Sequence, residues 1–136
     1  MDIIHHNQAF DVDAFFAGLK SSYIGIDADD YSTFQAQGDE IHTFAGESDS
    51  NDRALAAIDK AIGSDKAREI ISNATAVMLI ILRSKESDRP LSMTEMQNIS
   101  KAFEDLNEET NVVWSISDDD SLGETIKVVI LVNVMK

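Results

Sequence analysis

The residues able to do chemistry are few, and most are spaced against it. His5 and His6 are adjacent, so their rings diverge on any regular backbone, and His42 is separated from them by a distance only the fold can set. They read as ordinary surface or edge histidines, with an adventitious metal site as the lesser alternative. Asp118-Asp119-Asp120 has the hard oxygens that magnesium takes, but three like charges in a turn read more simply as a solvated tip. Asp27-Ala28-Asp29-Asp30 hints at calcium without the glycine and closing Glu that an EF-hand loop requires. No G-x-S-x-G turn frames any serine. With no cysteine, thiol catalysis, disulfides and Cys-ligated metal are excluded together. Arg83 and Arg89 flank one polar loop and are a candidate weak anion site. The expectation is no catalytic residue, no metal and no cofactor.

What must position these residues is a single domain of 136 residues, 43% apolar, with 25 acidic against 11 basic side chains and a net charge of −14. So acidic a surface repels phosphate backbones, which makes nucleic acid a poor partner. The longest apolar stretch, Ala76 to Leu82, is far short of the roughly 20 residues of a spanning helix. No basic-then-apolar leader opens the chain, so the expectation is a cytoplasmic protein with no membrane partner.

Asp11 to Lys20 predicts a short helix with Phe15, Phe16 and Leu19 on its apolar side. From Ser21 to Asp52 there are eight acidic residues and no Lys or Arg, which favours an exposed, extended or mobile segment, and about 21–38 within it reads as an insert. Its aromatics Tyr23, Tyr31 and Phe34 either pack back or meet a partner. Glu40 to Gly46 alternates loosely as a strand. Ser50-Asn51-Asp52 offers capping oxygens to a helix with the stripe Leu55, Ile58, Ile62 and a stop at Gly63, followed by a short charged turn, Asp65 to Glu69.

Ala76 to Leu82 is a continuous apolar run, expected to be a strand buried on both faces. Ser92 and Glu95 form a capping box opening a helix with Met96, Ile99, Phe103 and Leu106 on one stripe. Val112 to Ser117 reads as a strand, Asp118 to Gly123 as a turn, and Thr125 to Val134 as the longest strand, apolar on both sides. The expected fold is α+β: a four-stranded mixed sheet with two helices on one face, plus the N-terminal helix and the acidic insert, the last two strands forming a hairpin.

The passage Asn111 to Ile130, a hydrophobic strand, the turn Asp118-Asp119-Asp120-Ser121-Leu122-Gly123 and a strand of alternating β-branched residues, resembles the C-terminal domain of the bacterial cell-division protein family FtsZ. Asp52 to Ile62, Ser72 to Leu82 and the capped helix at Ser92 extend the resemblance over about 40–134. It implies a domain whose family binds GTP through a glycine-rich loop of another half. The six glycines here are unclustered, so no GTP binding is expected of this chain. The resemblance also places a loop of pattern Asn-x-Asp-x-x-Asp, which reaches the next subunit's nucleotide, over His6 to Asp11. Asp11 then holds the final Asp position, Gln8 the first and His6 the Asn; Gln8 lacks the carboxylate that polarises water. The simpler role for Asp11 is to cap the first helix.

The functional expectation is a non-catalytic protein-interaction domain, self-associating or meeting an FtsZ/tubulin-like subunit, with Gln8, Asp11, Tyr23, Tyr31 and Phe34 as candidate contact residues. Its motive is the second face of the sheet, which two helices leave uncovered. The first helix, the insert or another chain must shield it. Two alternatives stay open: an α+β oligomer with a small-molecule or catalytic site at an interface, and a piece of a larger GTPase-like protein.

Overall fold

The strand expected to be the longest, Ile126–Val134, has nine residues against ten in Ala74–Arg83, and it owes its place to its side chains. With Val128, Ile130 and Val132 pointing one way and Val129 and Leu131 the other, and all of them buried, it can sit only where both faces are covered. The computed structural model describes residues 3–6, 11–17, 22–24, 28–104, 106 and 109–135. Its elements in chain order are β1 (Ile3–His5), α1 (Val12–Ala17), β2 (Ser22–Ile24), α2 (Ala28–Gln35), β3 (Glu40–Ser48), α3 (Arg53–Ile62), α4 (Asp65–Ser72), β4 (Ala74–Arg83), α5 (Met93–Lys101), β5 (Asn111–Asp118) and β6 (Ile126–Val134).

They build one six-stranded mixed sheet in the order β1-β3-β6-β4-β5-β2. β6 lies at the centre, antiparallel to β3 through Phe44↔Ile130 and to β4 through Leu79↔Ile130. β5 runs parallel to β4 on the far side, Leu79 opposite Trp114. The expected hairpin of the last two strands is therefore corrected: β5 and β6 are separated by β4. A strand apolar on both sides gains more from neighbours on each edge than from the next strand in sequence. The expected four strands become six, because the N-terminal segment supplies β1, parallel to β3, and β2, antiparallel to β5.

Three helices, not two, cover the first face. The segment read as a charged turn is the opening of α4, whose Ser64 accepts a hydrogen bond from the Ala67 amide at 3.1 Å and whose Ala67 and Ile71 are buried. α3 buries Ala54, Ala57, Ile58, Ala61 and Ile62. It approaches β3 closely at Gly46, where a methyl group would stand 2.7 Å from the Ala61 nitrogen and closer still to the Ala57 carbonyl. α5 starts at the expected capping box, with Ser92 accepting from the Glu95 amide and Glu95 from the Ser92 amide, both at 3.1 Å. It ends at Lys101, short of Phe103 and Leu106, which still pack on the core.

The acidic insert is not extended. Its residues 28–35 form α2, and Tyr31 and Phe34 are buried against Ile41, Met78, Ile80 and Leu131 on the second face. α1 joins them with buried Val12 and partly buried Phe15 and Phe16. Asn133, wholly buried in β6, donates to the Phe34 carbonyl at 2.8 Å and so ties the end of α2 to the sheet. The exposed-insert expectation counted charge, whereas burial of two aromatics at about 1.5–3 kcal/mol per large apolar side chain decides the outcome.

Candidate functional site

The most tightly built polar site is one the sequence reading missed. Arg53 is the first residue of α3, and with Ala57 and Ala61 it continues the helix's buried side at i, i+4, i+8; it is only 2% exposed. Its Nε donates to Glu95 Oε2 at 2.6 Å and its Nη2 to Oε1 at 3.0 Å, a two-pronged pair with the capping carboxylate of α5. The remaining donors reach the carbonyls of Glu124 at 2.8 Å and Arg89 at 2.7 Å. One guanidinium thus joins the starts of two helices, the 84–92 loop and the turn before β6. The hydrogen bonds from Arg53, reinforced by the Ser92 amide, hold the Glu95 carboxyl below its ordinary pKa against the opposing effect of burial. The legible signal was a charged residue on an otherwise apolar helical stripe.

The candidate contact residues fall into three situations. Asp11 is exposed at the start of α1, where its carboxylate accepts from the Ala14 amide at 3.0 Å. Tyr31 and Phe34 face inward, with Tyr31 stacked on Phe16 at a centroid distance of 4.7 Å. Gln8 lies outside the described residues, and of Tyr23 only its backbone, in β2, is described. Asp11 therefore marks an exposed point on the outer edge of an aromatic layer, while Tyr31 and Phe34 build that layer.

Arg83 and Arg89 are not brought together. Arg83 pairs with Asp118 across β4 and β5. Arg89 donates to the Asp49 and Ser50 carbonyls, both at 3.0 Å, lacing its loop to the end of β3. Asp119 and Asp120 are spent locally, Asp119 accepting from the Ser121 amide at 3.1 Å and Asp120 from the Ser84 hydroxyl at 3.3 Å. Among the described residues no group of three or more His, Asp or Glu is arranged to hold a metal ion. No helix of the described residues is long and apolar enough to cross a membrane.

Among the described residues, a partly apolar cleft and an apolar pair of side chains remain open on the first face. A cleft of about 490 Å³ lies between α3, α4 and α5, lined by Leu55, Ile58, Ile62, Ile71 and Leu106. Val112 and Trp114 on β5, beyond the reach of α5, are 43% and 42% exposed.

Comparison with known proteins identifies the architecture. Residues 41–136 match the family model described as FtsZ family, C-terminal domain. Among solved structures, an empty FtsZ dimer from M. jannaschii superposes with a TM-score of 0.67 at 22% identity, covering 83% of this chain and 32% of that one. CetZ from Methanosaeta thermophila gives 0.59 at 18%, covering 89% and 34%. TubZ from Bacillus thuringiensis serovar israelensis, in a structure of GDP-form protofilaments, gives 0.58 at 14%, covering 83% and 30%. The chain thus spans about a third of the length of these structures. A comparison with curated protein sequences gave no significant match.

Proposed function

The chain belongs to the FtsZ family through its C-terminal domain, and from that premise we propose that it acts without catalysis, as a cytoplasmic protein-interaction module that associates with FtsZ- or tubulin-like filaments in cell division. The interaction rests on the family match and on Val112 and Trp114, left exposed on the first face, and not on the second sheet face. That second face is closed from within by Val12, Phe15, Phe16, Tyr31 and Phe34, all from the segment preceding β3. A second face packed by residues of this chain needs no nucleotide-binding half to cover it. The unclustered glycines agree, since the sequence has no glycine-rich run of the kind that cradles phosphates.

In its sharper form the proposal docks the Asp11 end of the domain against the nucleotide-bearing end of an FtsZ-like subunit and caps the filament without stimulating hydrolysis. Asp11 is exposed where the family's loop would end, and Gln8 replaces the carboxylate that would polarise water. The test adds the domain to polymerising FtsZ and follows pelleted polymer and phosphate release. Less polymer with no rise in phosphate per subunit is expected, weakened by Asp11→Arg. An unchanged pellet together with unchanged phosphate release would remove the proposal.

A further inference from the structure

β1 is only three residues long, and two of them are exposed, yet it holds the edge of the sheet. Backbone pairing over Ile3↔Ile41 to His5↔Thr43 is extended by the His6 amide donating to the Thr43 carbonyl at 3.1 Å. The side chains add a row that crosses from β1 to β3. His42 Nε2 lies 2.7 Å from Glu40 Oε1, and His42 Nδ1 lies 2.7 Å from His6 Nε2. The His6 ring also stacks on Phe44, with centroids 4.5 Å apart and planes 8° from parallel. We propose that Glu40, His42 and His6 form a proton-counting latch, which keeps β1 on the sheet while the two imidazoles carry at most one extra proton and releases it when both are charged.

The chemistry of the row dictates the count. The Glu40 carboxylate accepts, so His42 must present N–H at Nε2, which leaves Nδ1 as an acceptor for the N–H of His6. One added proton is tolerated. The bond survives as long as one of the two facing nitrogens carries no hydrogen. A second proton sets N–H against N–H at 2.7 Å, and the bond becomes a repulsion.

The surroundings oppose that second charge. Facing His6 are His42 on β3, Lys66 on α4 and its neighbour His5 on β1, all of which disfavour a positive charge there. His5 itself is occupied with the Thr43 hydroxyl at 2.7 Å. Glu40 lies against His42. Burial first, then these charges, hold the His6 pKa below its ordinary value. For a histidine so lowered, docking is at full strength above the undocked value of about 6.5 and weakens as pH falls from there toward the docked value. Release uncovers the outer edge of β3 at Ile41 to Thr43, a row of strand amides and carbonyls that another chain's strand can pair with.

Methyl NMR of the full chain tests the latch, with Ile3 reporting β1 and Ile130 the central strand. Lowering the pH from neutral should move the Ile3 methyl to its unstructured position while Ile130 stays in place. The docked-to-free ratio should drop by up to about tenfold per pH unit below 6.5. His6→Phe keeps the stack on Phe44 and should leave Ile3 docked and insensitive to pH. Glu40→Gln, which removes the charge favouring the first proton, should bring release on at higher pH. An Ile3 signal that is unaffected by acid, one that still titrates in His6→Phe, or one that moves only together with Ile130 would each overturn the proposal.

Discussion

Replacing Arg53 by alanine tests whether one buried guanidinium fastens the first-face helices to the sheet's loops. The substitution deletes both prongs of the Glu95 pair and the donors to the Glu124 and Arg89 carbonyls. Removing one member of a buried pair costs about 3–5 kcal/mol. Glu95 keeps 18% of its side-chain surface and its Ser92 contact, so water and the cap recover part of what is lost. The lower end, about 3 kcal/mol, is therefore expected, a large share of a domain stability of about 5–15 kcal/mol. In thermal terms that is a fall in Tm on the order of 10 °C. Arg53→Lys can reach Glu95 but cannot at once span the carbonyls on either side, and should lose about 1–2 kcal/mol. Urea unfolding followed by circular dichroism measures both. A loss below about 1 kcal/mol for Arg53→Ala, or a lysine variant as stable as the parent, would show that the carbonyls and Glu95 are served equally well by water.

Three further outcomes follow from the same packing. Phe34→Ala should open a cavity between α2 and the second face and cost about 3–5 kcal/mol in urea unfolding, because α2 supplies the two large rings that cover Met78 and Leu131. Gly46→Ala forces a methyl into the α3 backbone and should cost about 1–3 kcal/mol, read as a lower thermal midpoint with unchanged strand content. Since Glu95 is held below its ordinary pKa of 4.5, its contribution is complete above that value and is lost as pH falls through the lowered one. The acid limb of the stability–pH curve should thus be shallower in Arg53→Ala than in the parent.

Local signals proved legible where they were self-contained. The Ser92–Glu95 box, the apolar run of β4 and the two-sided alternation of β6 each state their structure within a few residues, and each forms. The resemblance around Asp118 to Gly123 likewise rests on contiguous residues, and the family match covers them. The insert was misread because the eight carboxylates and missing basic residues of Ser21 to Asp52 dominate the composition around it, while Tyr31 and Phe34 carry its packing. α4 was missed because two apolar turns amid charges look like a loop until β4 and β6 lie beneath them.

The sequence by itself determined the α+β character, the acidic surface, the absence of thiol chemistry and the missing phosphate-binding glycines, since these depend on residue type and short spacing alone. Only the tertiary structure decided the strand order, the use of α1 and α2 to close the second face, the Arg53 tie and the Glu40–His42–His6 row. Each of those joins residues tens of positions apart, 42 between Arg53 and Glu95 and 36 between His6 and His42. Such pairings depend on which apolar faces find one another when the sheet forms, a global balance of burial that no local window of sequence contains.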